Sequence, residues 1–146
     1  MELKNNFVQF GCNLGGYAGV YTSNWSIIVN GKIVGRVCKR QNAKYYEYPY
    51  DIQLVVIDKE IKYKVGTNEK IKEMKKEVWL RGTTNILNWN LPRHQLKTLT
   101  GAKKFCTRLF CDQGRLELFL YSVLNSRFPK RTDYYINHFV DKVYDL

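Results

Sequence analysis

SIIVNGKIVGRVCKR, residues 26–40, sets two β-branched runs on either side of Asn30-Gly31. A two-residue type I′ turn needs positive φ at both central positions, and Asn-Gly accepts that most readily. The stretch therefore predicts an antiparallel hairpin. Upstream, Asn6 to Phe10 is a short apolar-rich run that ends in the glycine-rich CNLGGYAG. Downstream, DIQLVVI is followed by Asp58-Lys59-Glu60 and then IKYKV, which predicts a second hairpin turning at residues 58–60. The first half is expected to be an antiparallel meander of four or five strands.

Past residue 66 the period changes. Asn68 is a suitable N-cap, Ile71, Met74, Val78 and Trp79 recur at helical spacing, and Gly82 closes the segment. TTNILNWNL reads as a connector or short strand, and Pro92 can open a helix. A helix is expected from Gly101 to near Gly114, and a second one on Leu116, Phe119, Leu120, Val123 and Leu124. Pro129 breaks it, and Thr132 is expected to cap a last helix that buries Ile136, Phe139, Val140 and Val143. The expected architecture is a single α+β domain over residues 1–146, β-rich over 1–66 and helical over 67–146. Neither half is large enough to hold a core alone.

The charge is uneven. Residues 81–131 hold ten cations against Asp112 and Glu117, a net of +8 within the chain's +11. That concentration favours a polyanionic partner, because each neutralised phosphate releases condensed counterions. The N-terminus lacks the basic start and apolar run of a signal peptide, and no apolar stretch reaches the ~18 residues of a membrane span. The expected setting is a cytoplasm, the cell's own or an infected host's, with no membrane partner and with thiols reduced. A compact basic chain rich in Asn, Lys and Tyr suits a virus or mobile element by composition.

Within GAKKFCTRLFC, residues 101–111, cations and apolar residues separate on a helical wheel. With Lys104 at 0° and about 100° per residue, Arg108 falls at ~40°, Cys111 at ~340° and Arg115 at ~20°. Ala102, Phe105, Cys106, Leu109 and Phe110 fill the arc from ~100° to ~240°. The segment predicts an amphipathic helix with a basic stripe. Cys106 and Cys111 stand ~140° apart on it and cannot share one tetrahedral zinc. Cys12 and Cys38 are distant, CxxC is absent, and His94 and His138 have no ligand spacing. No metal or cofactor is expected, and Cys106 reads as a core cysteine. LKTLTGAKKFCTRLF resembles a helix-turn-helix in cadence, with an apolar first helix, a glycine turn and a basic second helix.

KRQNAKYYEYPY interleaves Lys39, Arg40 and Lys44 with Tyr45, Tyr46, Tyr48 and Tyr50. Tyrosine can stack on unpaired bases while cations hold phosphates, and tyrosine with arginine also marks protein–protein hot spots. Asp51 followed by Glu60-x-Lys62 on the next strand resembles the PD-(D/E)xK nucleases, whose carboxylates hold Mg²⁺ while the lysine steadies the attacking water. Here Tyr50 separates Pro49 from Asp51, and the helix expected before the hairpin is missing.

The leading expectation is a non-catalytic protein that binds nucleic acid or a nucleoprotein complex through residues 93–131. Lys103, Lys104, Arg108, Arg115, Arg93 and Lys97 form its main surface. Lys39, Arg40, Lys44, Tyr45, Tyr46 and Tyr48 assist. The alternative is an interaction or inhibitor protein that grips an acidic protein partner with the same residues. The third reading is the Mg²⁺-dependent nuclease.

Overall fold

The computed structural model describes residues 7–16, 19–65, 72–82, 93–125 and 128–144. The hairpin read from Asn30-Gly31 is present. Strand β2 (Tyr21–Val29) turns into β3 (Lys32–Arg40) through Asn30 at φ 52° and Gly31 at φ 80°, both in the left-handed region. Strand β1 (Val8–Asn13) pairs with β2 on one side, and β4 (Tyr50–Val65) and β5 (Lys72–Gly82) follow on the other. The five strands form one antiparallel sheet in sequence order.

Two sequence expectations fail here. Asp58-Lys59-Glu60 is no turn, because β4 runs straight through it. Its pairing with β5 slips there, from Asp58 opposite Lys76 to Lys62 opposite Lys75, so the extra residues are absorbed as a bulge. β4 and β5 are joined by residues 66–71, which lie outside the described residues. The helix expected from Asn68 to Gly82 is strand β5 from Lys72 onward, and Asn68 and Ile71 lie outside the described residues. The change from strand to helix therefore comes after Gly82 rather than near residue 66. TTNILNWNL and Pro92 also lie outside the described residues.

A 3-10 helix (Arg93–Lys97) leads into α1 (Leu99–Phe110), α2 (Gln113–Leu124) and α3 (Thr132–Tyr144). The Thr98 side chain caps α1 by accepting from the Gly101 N–H at 3.0 Å. A Cβ on Gly101 would lie 2.2 Å from the Gln95 carbonyl oxygen, so glycine is what lets the 3-10 helix pack this closely. Gly101 thus sits inside α1, and the expected glycine turn of a helix-turn-helix is not formed.

α1 also ends sooner than expected. Cys111 closes it and Asp112 caps α2, accepting from the Arg115 N–H at 3.2 Å. Cys111 and Arg115 therefore leave the helix that carries Lys104 and Arg108. Thr132 is the first residue of α3 rather than its cap, and its hydroxyl donates to the Phe128 carbonyl at 2.9 Å.

Ile27, Val29, Val37, Ile52, Leu54 and Val56 turn one sheet face toward the helices, where Phe105, Phe110, Phe119 and Phe139 complete the core. The Phe105 and Phe119 rings meet edge-on at 6.2 Å, within the range that favours aromatic pairs. The apolar arc read on α1 is buried throughout: Ala102, Phe105, Cys106, Leu109 and Phe110. Burying each large side chain contributes about 1.5–3 kcal/mol.

Candidate nucleic-acid interface

With its apolar arc against the sheet, α1 turns Lys104, Thr107 and Arg108 to solvent. Gln95, Thr100, Lys103, Lys104, Thr107 and Arg108 line an open cleft of about 520 Å³ between α1 and the 3-10 helix before it. Among these described residues three are cations, none is a carboxylate, and the other three are neutral hydrogen-bonding side chains. The Thr107 hydroxyl donates back to the Lys103 carbonyl at 3.0 Å. The buried Gln95 Oε1 has no hydrogen-bond partner among the described residues. The ammonium of Lys103 lies 5.5 Å from the Phe10 ring, which ties its position to β1. Such a cleft can hold anionic oxygens by charge and by N–H and O–H donors.

Arg115 does not line the cleft. It starts a different helix and lies 3.9 Å from Asp112. Arg93 opens the 3-10 helix, and its side chain lies outside the described residues. Lys97 ends that helix with its ammonium 5.7 Å from the Tyr48 ring. This one contact joins the two groups of site residues that the sequence kept apart, the α1 cations and the tyrosine-rich loop.

The loop at residues 41–49 has a fixed backbone. Asn42 sits at φ 55° and opens a 3-10 turn, Ala43–Tyr45. The Gln41 N–H donates to the Val20 carbonyl and the Arg40 N–H to the Pro49 carbonyl, each at 2.9 Å. Tyr45 is 75% exposed and Tyr46 46%. Lys44 lies 5.1 Å from the Tyr45 ring and Arg40 5.0 Å from the Tyr46 ring. Lys39 pairs with Tyr50 where the loop leaves the sheet.

Behind the loop lies a polar network on the sheet face turned away from the helices. Arg40 Nη2 donates to Asp51 Oδ1 at 3.1 Å, and the Tyr21 hydroxyl donates to Asp51 Oδ2 at 2.8 Å. Gln53 Nε2 donates to the Tyr21 oxygen at 3.2 Å, and Arg36 Nε to Gln53 Oε1 at 2.7 Å. Burial works against the Arg40 charge, but the Asp51 carboxylate more than offsets it, so the guanidinium's pKa is raised. Sequence reasoning missed Tyr21, Arg36 and Gln53. The signal was the strand alternation of residues 36 and 40, legible only once β3 is paired with β4.

Asp51, Glu60 and Lys62 all lie on β4, not on consecutive strands as the hairpin reading required. The side chains of Glu60 and Lys62 lie outside the described residues. Among the described residues no group of three or more His, Cys, Asp or Glu side chains could hold a metal. Cys106 and Cys38 are buried, while Cys12 and Cys111 are exposed. Burial pushes the Cys106 thiol well up. Among the described residues no helix is long and apolar enough to cross a membrane.

No protein-family model, curated protein or solved structure matches this chain.

Proposed function

We propose that this chain binds nucleic acid without catalysis, gripping the phosphate backbone in the α1 cleft. The reading rests on one observation: Lys103, Lys104 and Arg108 converge on a single cleft whose other described walls are the neutral polar side chains of Gln95, Thr100 and Thr107. Cations with no carboxylate between them repel one another, so a clustered set gains when a polyanion arrives. The Thr100 hydroxyl and the Gln95 amide add donors of the kind that fix a phosphate in place. The tyrosine loop adjoins the cleft through Lys97 and Tyr48.

The test is a salt series on random-sequence DNA and RNA. Three phosphate contacts predict a log–log slope of about −2 to −3. A slope near zero, or no binding at ~50 mM salt, removes the reading. A second reading, an acidic protein partner, is favoured by the exposed Tyr45 and Tyr46 beside Arg40 and Lys44, a composition common at protein interfaces. It gains if nucleic acid fails this test while an acidic protein is retained.

A further inference from the structure

Resting on the phosphate-binding reading above, we propose that the loop at residues 41–49 is a stacking platform for unpaired nucleobases. The surface then takes single-stranded nucleic acid in preference to duplex. Tyr45 and Tyr46 are consecutive in sequence, yet both rings face solvent, at 75% and 46% exposure. The core makes no use of them. A floppy loop would lose much of any stacking gain to ordering, but this one is already ordered. Asn42 holds a left-handed backbone, the Tyr45 N–H donates to the Asn42 carbonyl, and the Tyr46 N–H donates to the Ala43 carbonyl.

Each ring carries its own cation. Lys44 lies 5.1 Å from the Tyr45 ring and Arg40 5.0 Å from the Tyr46 ring. Arg40 is in turn held from beneath by the buried Asp51 at 3.1 Å. A base can stack on the ring face that the cation does not cover. Lys44 can hold the adjoining phosphate by charge, while Arg40, its charge engaged by Asp51, fixes the Tyr46 ring. In a duplex the base faces are covered by neighbouring pairs, so rings fixed on a turn gain nothing unless the helix is opened. In a single strand the faces are free. Tyr48, in the same loop, meets Lys97 at the start of the cleft segment. A strand stacked on the loop therefore leads its backbone toward Lys97 and on to Lys103, Lys104 and Arg108. The stacking face is common to DNA and RNA, so the shared ligand is an unpaired base on a phosphate backbone.

The experiment compares four probes of about 12 nucleotides, a length within the range of known single-strand sites. They are oligothymidylate, oligouridylate, an abasic oligodeoxynucleotide and a DNA duplex, with affinity read by fluorescence anisotropy at several salt concentrations. The expected result is that at least one base-bearing single strand binds about tenfold or more tighter than the abasic strand. Whichever of the two does so supports the platform and identifies the sugar it accepts. The duplex should compete poorly with that strand. Tyr45→Ala/Tyr46→Ala should lower affinity to the abasic level with an unchanged salt slope, and Tyr45→Phe/Tyr46→Phe should restore it, since phenylalanine keeps the stacking face. Equal affinity for base-bearing and abasic strands, equal competition by duplex, or full affinity in the alanine variant overturns the platform. A steep salt slope in those cases leaves the phosphate cleft standing. Absence of binding to every probe overturns both.

Discussion

Nη2 of Arg131 stands 2.7 Å from both carboxylate oxygens of Asp58, a side chain with no exposed surface. The same guanidinium lies 4.1 Å from the Tyr134 ring. Arg131 thus joins the start of α3 to β4, and its charge is engaged inside the fold. Removing the cation leaves a carboxylate buried without its charge partner. Arg131→Ala should cost about 3 kcal/mol, the lower end of the range for breaking a buried pair, because Arg131 is itself partly exposed. Urea unfolding measures this, and a loss below ~1 kcal/mol would show that the pair is idle. Polyanion affinity should not change.

Lys104 and Arg108 are i, i+4 neighbours on α1 and repel by ~0.2–0.5 kcal/mol in the free protein. Lys104→Ala/Arg108→Ala should leave the melting temperature unchanged or slightly raised, while the log–log salt slope falls by about one for each lost phosphate contact. Phe105→Ala, on the buried face, should cost about 3–5 kcal/mol and serves as the contrasting variant. Unchanged affinity and slope in the double variant would place the polyanion site elsewhere.

Gly101→Ala puts a methyl group 2.2 Å from the Gln95 carbonyl oxygen, which is backbone and cannot swing aside. The 3-10 helix must move off α1. The expected loss is about 1–3 kcal/mol, the usual cost of overpacking. Polyanion affinity should fall as well, because Gln95 lines the cleft. An alanine variant as stable as the parent would mean that the junction is loose.

Alkali should unfold the protein early. Burial raises the Cys106 thiol above its ordinary 9.0 and the Tyr50 and Tyr135 hydroxyls above their ordinary 10.0. Above pH 9.0 the unfolded chain releases the Cys106 proton while the folded chain keeps it. The unfolded state then binds fewer protons, so stability falls as pH rises. Cys106→Ala should flatten that fall by about 1.4 kcal/mol per pH unit in the range just above. Parallel pH profiles for parent and variant would refute this.

The hairpin and the apolar arc of α1 could be read from sequence because each rests on a local rule: Asn-Gly for the turn, and a period of 3.6 for the helix. β5 could not. Lys, Glu and Met are good helix formers, and Ile71, Met74, Val78 and Trp79 happen to fall at helical spacing. What makes the segment a strand is pairing with β4, Leu80 opposite Leu54 and Val78 opposite Val56, and no local window contains that partner. The early end of α1 was legible in principle, since Asp112 is a strong N-cap, but Gly114 offered a competing stop. Charge counting overstated the cations available to a partner. Arg131 is engaged by Asp58 and Arg40 by Asp51, and neither carboxylate is near its arginine in sequence.

Asn30 does more than turn a hairpin. Its Nδ2 donates to the Val143 carbonyl at 3.3 Å, and its neighbour Lys32 donates to the Lys142 carbonyl at 3.0 Å. Both carbonyls belong to α3, so the tip of the Asn30-Gly31 hairpin is bonded directly to that helix. The two partners are 113 residues apart in the chain. On a ribosome the hairpin is finished long before its client helix exists, and loop closure over that distance is slow. Docking of α3 onto a waiting hairpin then becomes a late step in folding, and a chain stalled in the interval presents the uncovered apolar face of its sheet to whatever chaperone is at hand.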